Sequence, residues 1–166
     1  MKEVKIEEAW KKKYPEQVSL AVTISKDGKP DIIALGWVMP TSFNPPMVAI
    51  SVGKTRYTHK LLSEIPEFVL CFPSEKQKDA MIFCGTHSGK DHDKFKETGL
   101  KPVKAKYVKP PLIEGSVAAF ECKVVATLDT GDHTIFVGEI LTAYISETEE
   151  KRIYNFGNYF KSISND

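Results

Sequence analysis

A chain of 166 residues fits one domain over residues 1–166 and can bury a core without disulfides or metals to hold it together. Hydrophobic residues at 42% and charged residues at 27% exclude the composition of intrinsic disorder. Lys and Arg number 23 against 22 Asp and Glu, which excludes a global field for nucleic acid or an anionic membrane, so any anion site must be local.

Residues 1 to 14 carry dense charge and end at Pro15, the mark of a short lead-in strand or helical turn outside the core. Residues 18 to 24 alternate apolar with small or polar side chains at period two, and Asp27-Gly28 supplies turn chemistry. The pattern predicts a hairpin returning through residues 31 to 39. Pro40, Pro45 and Pro46 then remove backbone donors, so residues 40 to 46 are expected to break the ladder before a strand resumes over 47 to 52. Residues 58 to 65 place apolar positions three to four apart and predict a short helix closed by Pro66. A buried strand follows over 68 to 72, a helix over 76 to 84, and a further turn over 91 to 98 before Gly99.

The remainder reads as strands. Residues 116 to 128 and 134 to 145 alternate and pair across the turn Asp129-Thr130-Gly131-Asp132, and an aromatic tail over 154 to 160 is expected to fold back over the body. Many strands with close turns and only short helices predict a mainly β protein, an antiparallel barrel with helical decoration. A dinucleotide-binding doubly wound fold is disfavoured, because no Gly-x-Gly-x-x-Gly follows a strand.

Two loops have the inventory of a phosphate cradle, namely small residues, hydroxyls and cations: residues 51 to 58, at a strand-to-helix junction, and residues 86 to 94. Each is equally the composition of a solvated surface loop, although finding two in one small domain favours the cradle. His87 and His92 are five apart, which does not put both on one helical face, and no metal is expected. Cys84 reads as a packing residue without covalent chemistry. His133 opens a β-branched strand directly after Gly131-Asp132, placing an imidazole at a strand mouth, where ligands are met. Three cysteines without Cys-x-x-Cys spacing, no signal-peptide core and no run near ~20 apolar residues point to a cytoplasmic setting.

Several motifs in order resemble the flavin reductase-like family, the FMN-binding split-barrel proteins that include flavoredoxin and the small flavin reductase components of two-component monooxygenases. They are Trp37-Val38-Met39-Pro40-Thr41-Ser42, residues 45 to 52, Arg56-Tyr57-Thr58, residues 67 to 70, Ser88-Gly89-Lys90-Asp91 with Lys94-Phe95, and Gly131-Asp132-His133 with Val137-Gly138. The resemblance implies a six-stranded antiparallel split barrel, a homodimer, and FMN near the subunit interface, with FAD an alternative and NAD(P)H as substrate. It implies that Val38, Met39, Pro40, Thr41 and Ser42 lie along the isoalloxazine edge, and that Ser51, Val52, Arg56, Thr58, Ser88, Gly89 and Lys94 hold the ribityl chain and phosphate. His133 is implied near the flavin face or the nicotinamide, as the residue that acts in catalysis. Phe156, Tyr159 and Phe160 are candidate interface aromatics. The resemblance leaves open a nicotinamide-dependent reductase that passes electrons to free flavin, a ferric complex or a partner protein, and a flavoredoxin-like carrier reduced by another protein.

Overall fold

A computed structural model describes residues 1–164. Its strands are β1 (Glu16–Gln17), β2 (Ser19–Ile24), β3 (Pro30–Leu35), β4 (Val38–Phe43), β5 (Pro46–Gly53), β6 (Glu67–Phe72), β7 (Pro102–Val103), β8 (Leu112–Ile113), β9 (Ala118–Thr130), β10 (His133–Ile145), β11 (Arg152–Asn155) and β12 (Phe160–Ile163). Its helices are α1 (Ile6–Trp10), α2 (Tyr57–Glu64), α3 (Lys78–Thr86), preceded by a 3-10 turn over Glu75–Gln77, and α4 (Lys94–Thr98). No helix among the described residues is long and apolar enough to cross a membrane.

The main sheet has the order β3-β2-β6-β9-β10-β5-β4, with every neighbouring pair antiparallel. Period-two alternation explains its two cores, because β2 and β6 are buried on both faces. Ala21, Phe68 and Leu70 join Val48, Ile50, Val52, Cys122 and Phe136 in one cluster. Leu20, Val22, Val69 and Cys71 point the other way, against Met81 and Cys84 of α3 and Phe95 of α4. Each fully buried side chain of this kind stabilises the fold by about 1.5–3 kcal/mol.

The main sheet has seven strands where six are implied, because residues 31 to 39 do not form one return strand. The chain leaves β3 at Gly36-Trp37 and restarts as β4. Nor do the prolines break the ladder: Pro40 pairs opposite Val48, with a register shift between Pro40 and Ser42. The reason is position, since β4 is the last strand of the sheet, and an edge strand tolerates a missing N–H that a central strand does not. The expected turn after β9 is also shorter. Thr130 already pairs with His133, leaving Gly131-Asp132 to reverse the chain, with Gly131 at φ 62° in the left-handed region that glycine adopts without strain.

The aromatic tail does fold back. β11 and β12 form a hairpin that adds to β1 in a small sheet, and Phe160 packs against the core cluster under α3. Phe156 and Tyr159 stack on each other at 5.1 Å between ring centroids. α1 has no buried residue, in keeping with a lead-in segment outside the core.

Candidate active site

β3 and β4 end the sheet on opposite sides and are not bonded to each other, so the barrel is split along this line. A cavity of about 360 Å³ opens there. One wall is β3 with Gly36 and Trp37, another is the end of β5 with the loop into α2, a third is the end of α3 with residues 86 to 89, and His133 closes a corner. The topology therefore brings the two candidate phosphate loops to one place.

Of the residues singled out from the sequence, Ser51, Arg56, Thr58, Ser88, Gly89, Lys94 and His133 all line this cavity. Val52 does not: alternation along β5 turns Ser51 to the cavity and buries the Val52 side chain in the barrel core. Val38, Met39, Pro40, Thr41 and Ser42 lie on β4, beyond the lining residues, with Met39, Pro40 and Thr41 exposed.

Arg56 is exposed at the N-cap of α2 and makes no ion pair among the described residues. No side chain caps that helix end, so the positive end of its dipole lies uncapped beside the cavity, which Tyr57 and Thr58 of its first turn line. Ser51, Thr55 and Ser88 add hydroxyls to the same walls. Such a donor set fits a phosphate monoester.

Lys94 has a different task from the one its type suggests. It is buried, with its ammonium 3.0 Å from Asp31 Oδ1, and it donates to the carbonyls of Ile32 and of Cys84, the latter at 3.2 Å. Thr58 Oγ1 donates to Asp31 Oδ2 at 3.0 Å. Asp31 Oδ1 accepts no well-directed hydrogen bond, so its compensation is the charge of Lys94 rather than a directed donor. A Cβ on Gly89 would stand 2.0 Å from that same oxygen, which is why only glycine fits where the second loop crosses the ion pair. The lysine expected to neutralise a phosphate thus neutralises Asp31, and Arg56 remains as the unpaired cation of the cavity. Asp31 escaped the sequence analysis because it sits beside turn residues, where a carboxylate usually meets water.

His133 pairs across the ladder with Gly53. Its Nδ1 lies 2.8 Å from Asp132 Oδ1; a carboxylate only accepts, so the proton is on Nδ1 and Nε2 is free toward the Gly53 wall. The same contact holds the Asp132 carboxyl below its usual range. The ring lies 4.8 Å from that of Trp37, which is stacked at 6.3 Å on Trp10 from α1. These aromatics form a lip at the cavity mouth, and Lys13 sits over three rings, Trp10, Tyr14 and Trp37. Glu16 also lines the cavity; no spacing in the sequence marks it, since β1, β11 and the cavity meet only in three dimensions.

His87 stacks on Phe83 at 3.9 Å, and His92 Nδ1 pairs with Glu97 at 2.9 Å, so each imidazole has a partner within its own segment. Cys84 is buried, and burial pushes its thiol up to about 11, the opposite of an activated nucleophile.

The family model described as "Flavin reductase like domain" matches residues 11–163. An uncharacterised protein of Archaeoglobus fulgidus is 41% identical over 128 residues, covering 77% of this chain and 71% of that one. An NADH-dependent FAD reductase of Streptomyces globisporus is 33% identical over 119 residues, covering 71% of this chain and 64% of that one. Among solved structures, the flavoredoxin of Desulfovibrio vulgaris (Miyazaki F) superposes with a TM-score of 0.83 at 25% identity, covering 92% of this chain and 89% of that one. The flavoredoxin of Methanosarcina acetivorans gives 0.82 at 28% identity, covering 100% and 94%. A family match over nearly the whole chain, the split barrel, and a phosphate-type donor set in the split agree, and this chain belongs to the flavin reductase-like family.

Proposed function

We propose that the chain is an FMN-binding, NAD(P)H-dependent flavin reductase, acting as one domain over residues 1–166 and as a cytoplasmic homodimer. The observation that carries the reading is Arg56, an unpaired guanidinium at an uncapped helix end, converging with Ser51, Thr55 and Ser88 on one cavity in the split of the barrel. The same donors would accept the inner phosphate of FAD. A flavin bound there would supply a ring that takes hydride from a nicotinamide and gives electrons to free flavin, a ferric complex or a partner protein.

The contribution of the protein is binding and orientation. Arg56 and the first turn of α2 hold the phosphate, and the hydroxyls of Ser51 and Ser88 complete its shell. The Asp31–Lys94 pair fixes the floor, tying β3 to α4 and to the last turn of α3. The free edge of β4, residues 38 to 42, offers backbone groups to the ring. His133 is the candidate catalytic side chain: anchored by Asp132, it positions the donor or steadies charge on the reduced ring through Nε2. Exposed apolar side chains on β4, β9 and β10, Phe43, Leu128 and Ile145 among them, supply the dimer face. Three buried, unpaired cysteines suit a reducing compartment.

The likeness to flavoredoxins favours one second reading, an electron carrier reduced by another protein. The two separate in an anaerobic visible spectrum of the FMN-reconstituted protein before and after NADH and then NADPH. Rapid bleaching of bound flavin is expected and names the donor, and flavin that stays oxidised with both supports the carrier. His133→Ala is expected to slow bleaching far more than it weakens FMN binding; an unchanged rate would remove His133 from the mechanism.

A further inference from the structure

Arg56 and His133 come from segments far apart in the chain and meet at Gly53. A Cβ on Gly53 would stand 3.5 Å from Arg56 Cγ and 3.5 Å from His133 Nε2, so the loop into α2 and the tip of the β9–β10 hairpin touch at one point. Two backbone bonds shape that corner: Arg56 N–H donates to the Gly53 carbonyl at 2.9 Å, and Lys54 N–H donates to the Asp132 carbonyl at 2.9 Å. Both lie at the tip, where a hairpin can still pivot against the helix behind it.

Behind the tip, on the strand face opposite His133, a chain of polar side chains ties the two together. His59 of α2 sets its Nε2 2.9 Å from Thr134 Oγ1, and Thr134 donates to Asp129 Oδ1 at 2.8 Å across the hairpin. Lys54 Nζ reaches the same oxygen at 3.6 Å. A hydroxyl has one proton and a carboxylate only accepts, so Thr134 gives its proton to Asp129 and receives one from His59 Nε2. The Thr134 bond, and then the Lys54 charge, hold the Asp129 carboxyl below its usual range, which keeps it an acceptor. The chain therefore runs in one direction, with both ends in residues 54 to 59 and its middle in the hairpin. The His59 ring also meets Phe136 edge-on at 5.3 Å between centroids, two residues further along the same face of β10. His59, Thr134, Asp129 and Lys54 all stand outside the cavity lining, and Thr134 is 6% exposed.

We propose that His59 and Thr134 are positioning residues for flavin reduction: they fasten the hairpin to α2 and so set the distance between His133, at the ring, and Arg56, at the phosphate. The inference rests on the flavin reading of the cavity and adds to it two residues that touch no ligand. A displacement of ~1 Å at a reacting pair can cost about 100-fold in rate. Phosphate binding depends on Arg56 and its neighbouring hydroxyls and tolerates a shifted hairpin.

Thr134→Val keeps the side-chain shape and removes both bonds, Thr134→Ser keeps the hydroxyl, and His59→Phe keeps a ring edge on Phe136 without the donor. In the FMN-loaded chain, anaerobic flavin reduction by NADH or NADPH is expected to slow about tenfold in Thr134→Val and in His59→Phe, with FMN affinity within about twofold of wild type. Thr134→Ser is expected to recover most of the rate. The two substitutions in one chain are expected to lose no more than the slower single variant, because both remove the same bond. Wild-type rates in both single variants, a Thr134→Ser chain as slow as Thr134→Val, or additive losses would overturn the proposal. Imidazole ¹⁵N spectra of the flavin-free chain supply a readout that needs no turnover. The wild type is expected to carry the His59 proton on Nε2, and His59→Phe to shift the His133 resonances from outside the cavity. Unmoved His133 resonances would overturn the positioning role. Moved resonances in a chain whose bound flavin neither nicotinamide reduces would sink the reductase reading and keep the coupling of α2 to His133.

Discussion

Two buried carboxylates show how differently this fold handles charge at its rear and at its site. Glu121, in the first third of β9, and Asp31, near the start of β3, are 0% and 2% exposed, so neither relies on water. Glu121 is caged by neutral donors: the backbone N–H groups of Lys106 at 2.8 Å, Tyr107, and Val108 at 3.2 Å, and the Tyr144 hydroxyl at 2.6 Å. Burial alone would raise its pKa, but those bonds together hold it below the usual carboxylate range. Asp31 is instead met by a full ammonium and one hydroxyl. The neutral cage pins a loop and leaves no cation committed. The ion pair commits the Lys94 charge to Asp31, whereas Arg56, which lines the same cavity, makes no ion pair among the described residues.

The comparison breaks most sharply at Lys94. Lys94→Met strands the Asp31 charge and is expected to cost about 3–5 kcal/mol, read as a shifted urea midpoint, with Asp31→Leu in the same chain restoring much of it. A cost below about 1 kcal/mol, inside the range for exposed pairs, together with weakened FMN binding, would return Lys94 to the phosphate. Next in size, Glu121→Gln replaces acceptor oxygen by donor nitrogen opposite the backbone N–H groups of Lys106, Tyr107 and Val108. Its expected cost is about 2–3 kcal/mol, with FMN affinity unchanged because the cage lies outside the cavity lining.

Arg56→Ala reverses that pattern. As an exposed residue it should move stability by no more than about 0.5 kcal/mol. Losing its charge-assisted bonds should raise the FMN dissociation constant about 10- to 100-fold, the equivalent of about 1.5–3 kcal/mol, measured by fluorescence titration. Equal FMN affinity in Arg56→Ala and wild type would place the phosphate elsewhere.

The smallest effect is a pH dependence at the rear. The hydrogen bond to Glu121, and then burial, push the Tyr144 phenol up to about 12. Because the folded value lies above the unfolded one of about 10, this contribution is complete below pH ~10 and is lost as pH rises through the folded value. Glu121 runs the other way: its lowered pKa contributes above the unfolded value of about 4.3 and is lost as pH falls. Urea midpoints across the alkaline range should therefore decline more steeply for wild type than for Tyr144→Phe, and equal slopes would dismiss the bond.

Much of the scaffold was legible in the chain. Period-two alternation located β2, β9 and β10, short apolar runs located β5 and β6, the 3.6-residue spacing located α2, and Gly131 marked the hairpin that delivers His133. These signals are local, since each depends on which side chains face one way along a short segment. The proline run misled because a missing N–H has opposite consequences in a central and an edge strand, and edge position is a property of the whole sheet. The ion pair of Lys94 with Asp31 was hidden for a related reason. A lysine beside glycine and serine looks like a phosphate ligand until a carboxylate 63 positions earlier is folded against it.

What the sequence determined by itself, then, was the succession of strands and the two loops with hydroxyls and cations, because propensity and alternation act between near neighbours. Only the tertiary structure decided which cation was free, which β4 residues stayed outside the cavity, and that Glu16, Gly36 and Gly85 line one cavity. Those outcomes depend on charge pairing and close approach between segments far apart in the chain, and such contacts exist only once the barrel has formed.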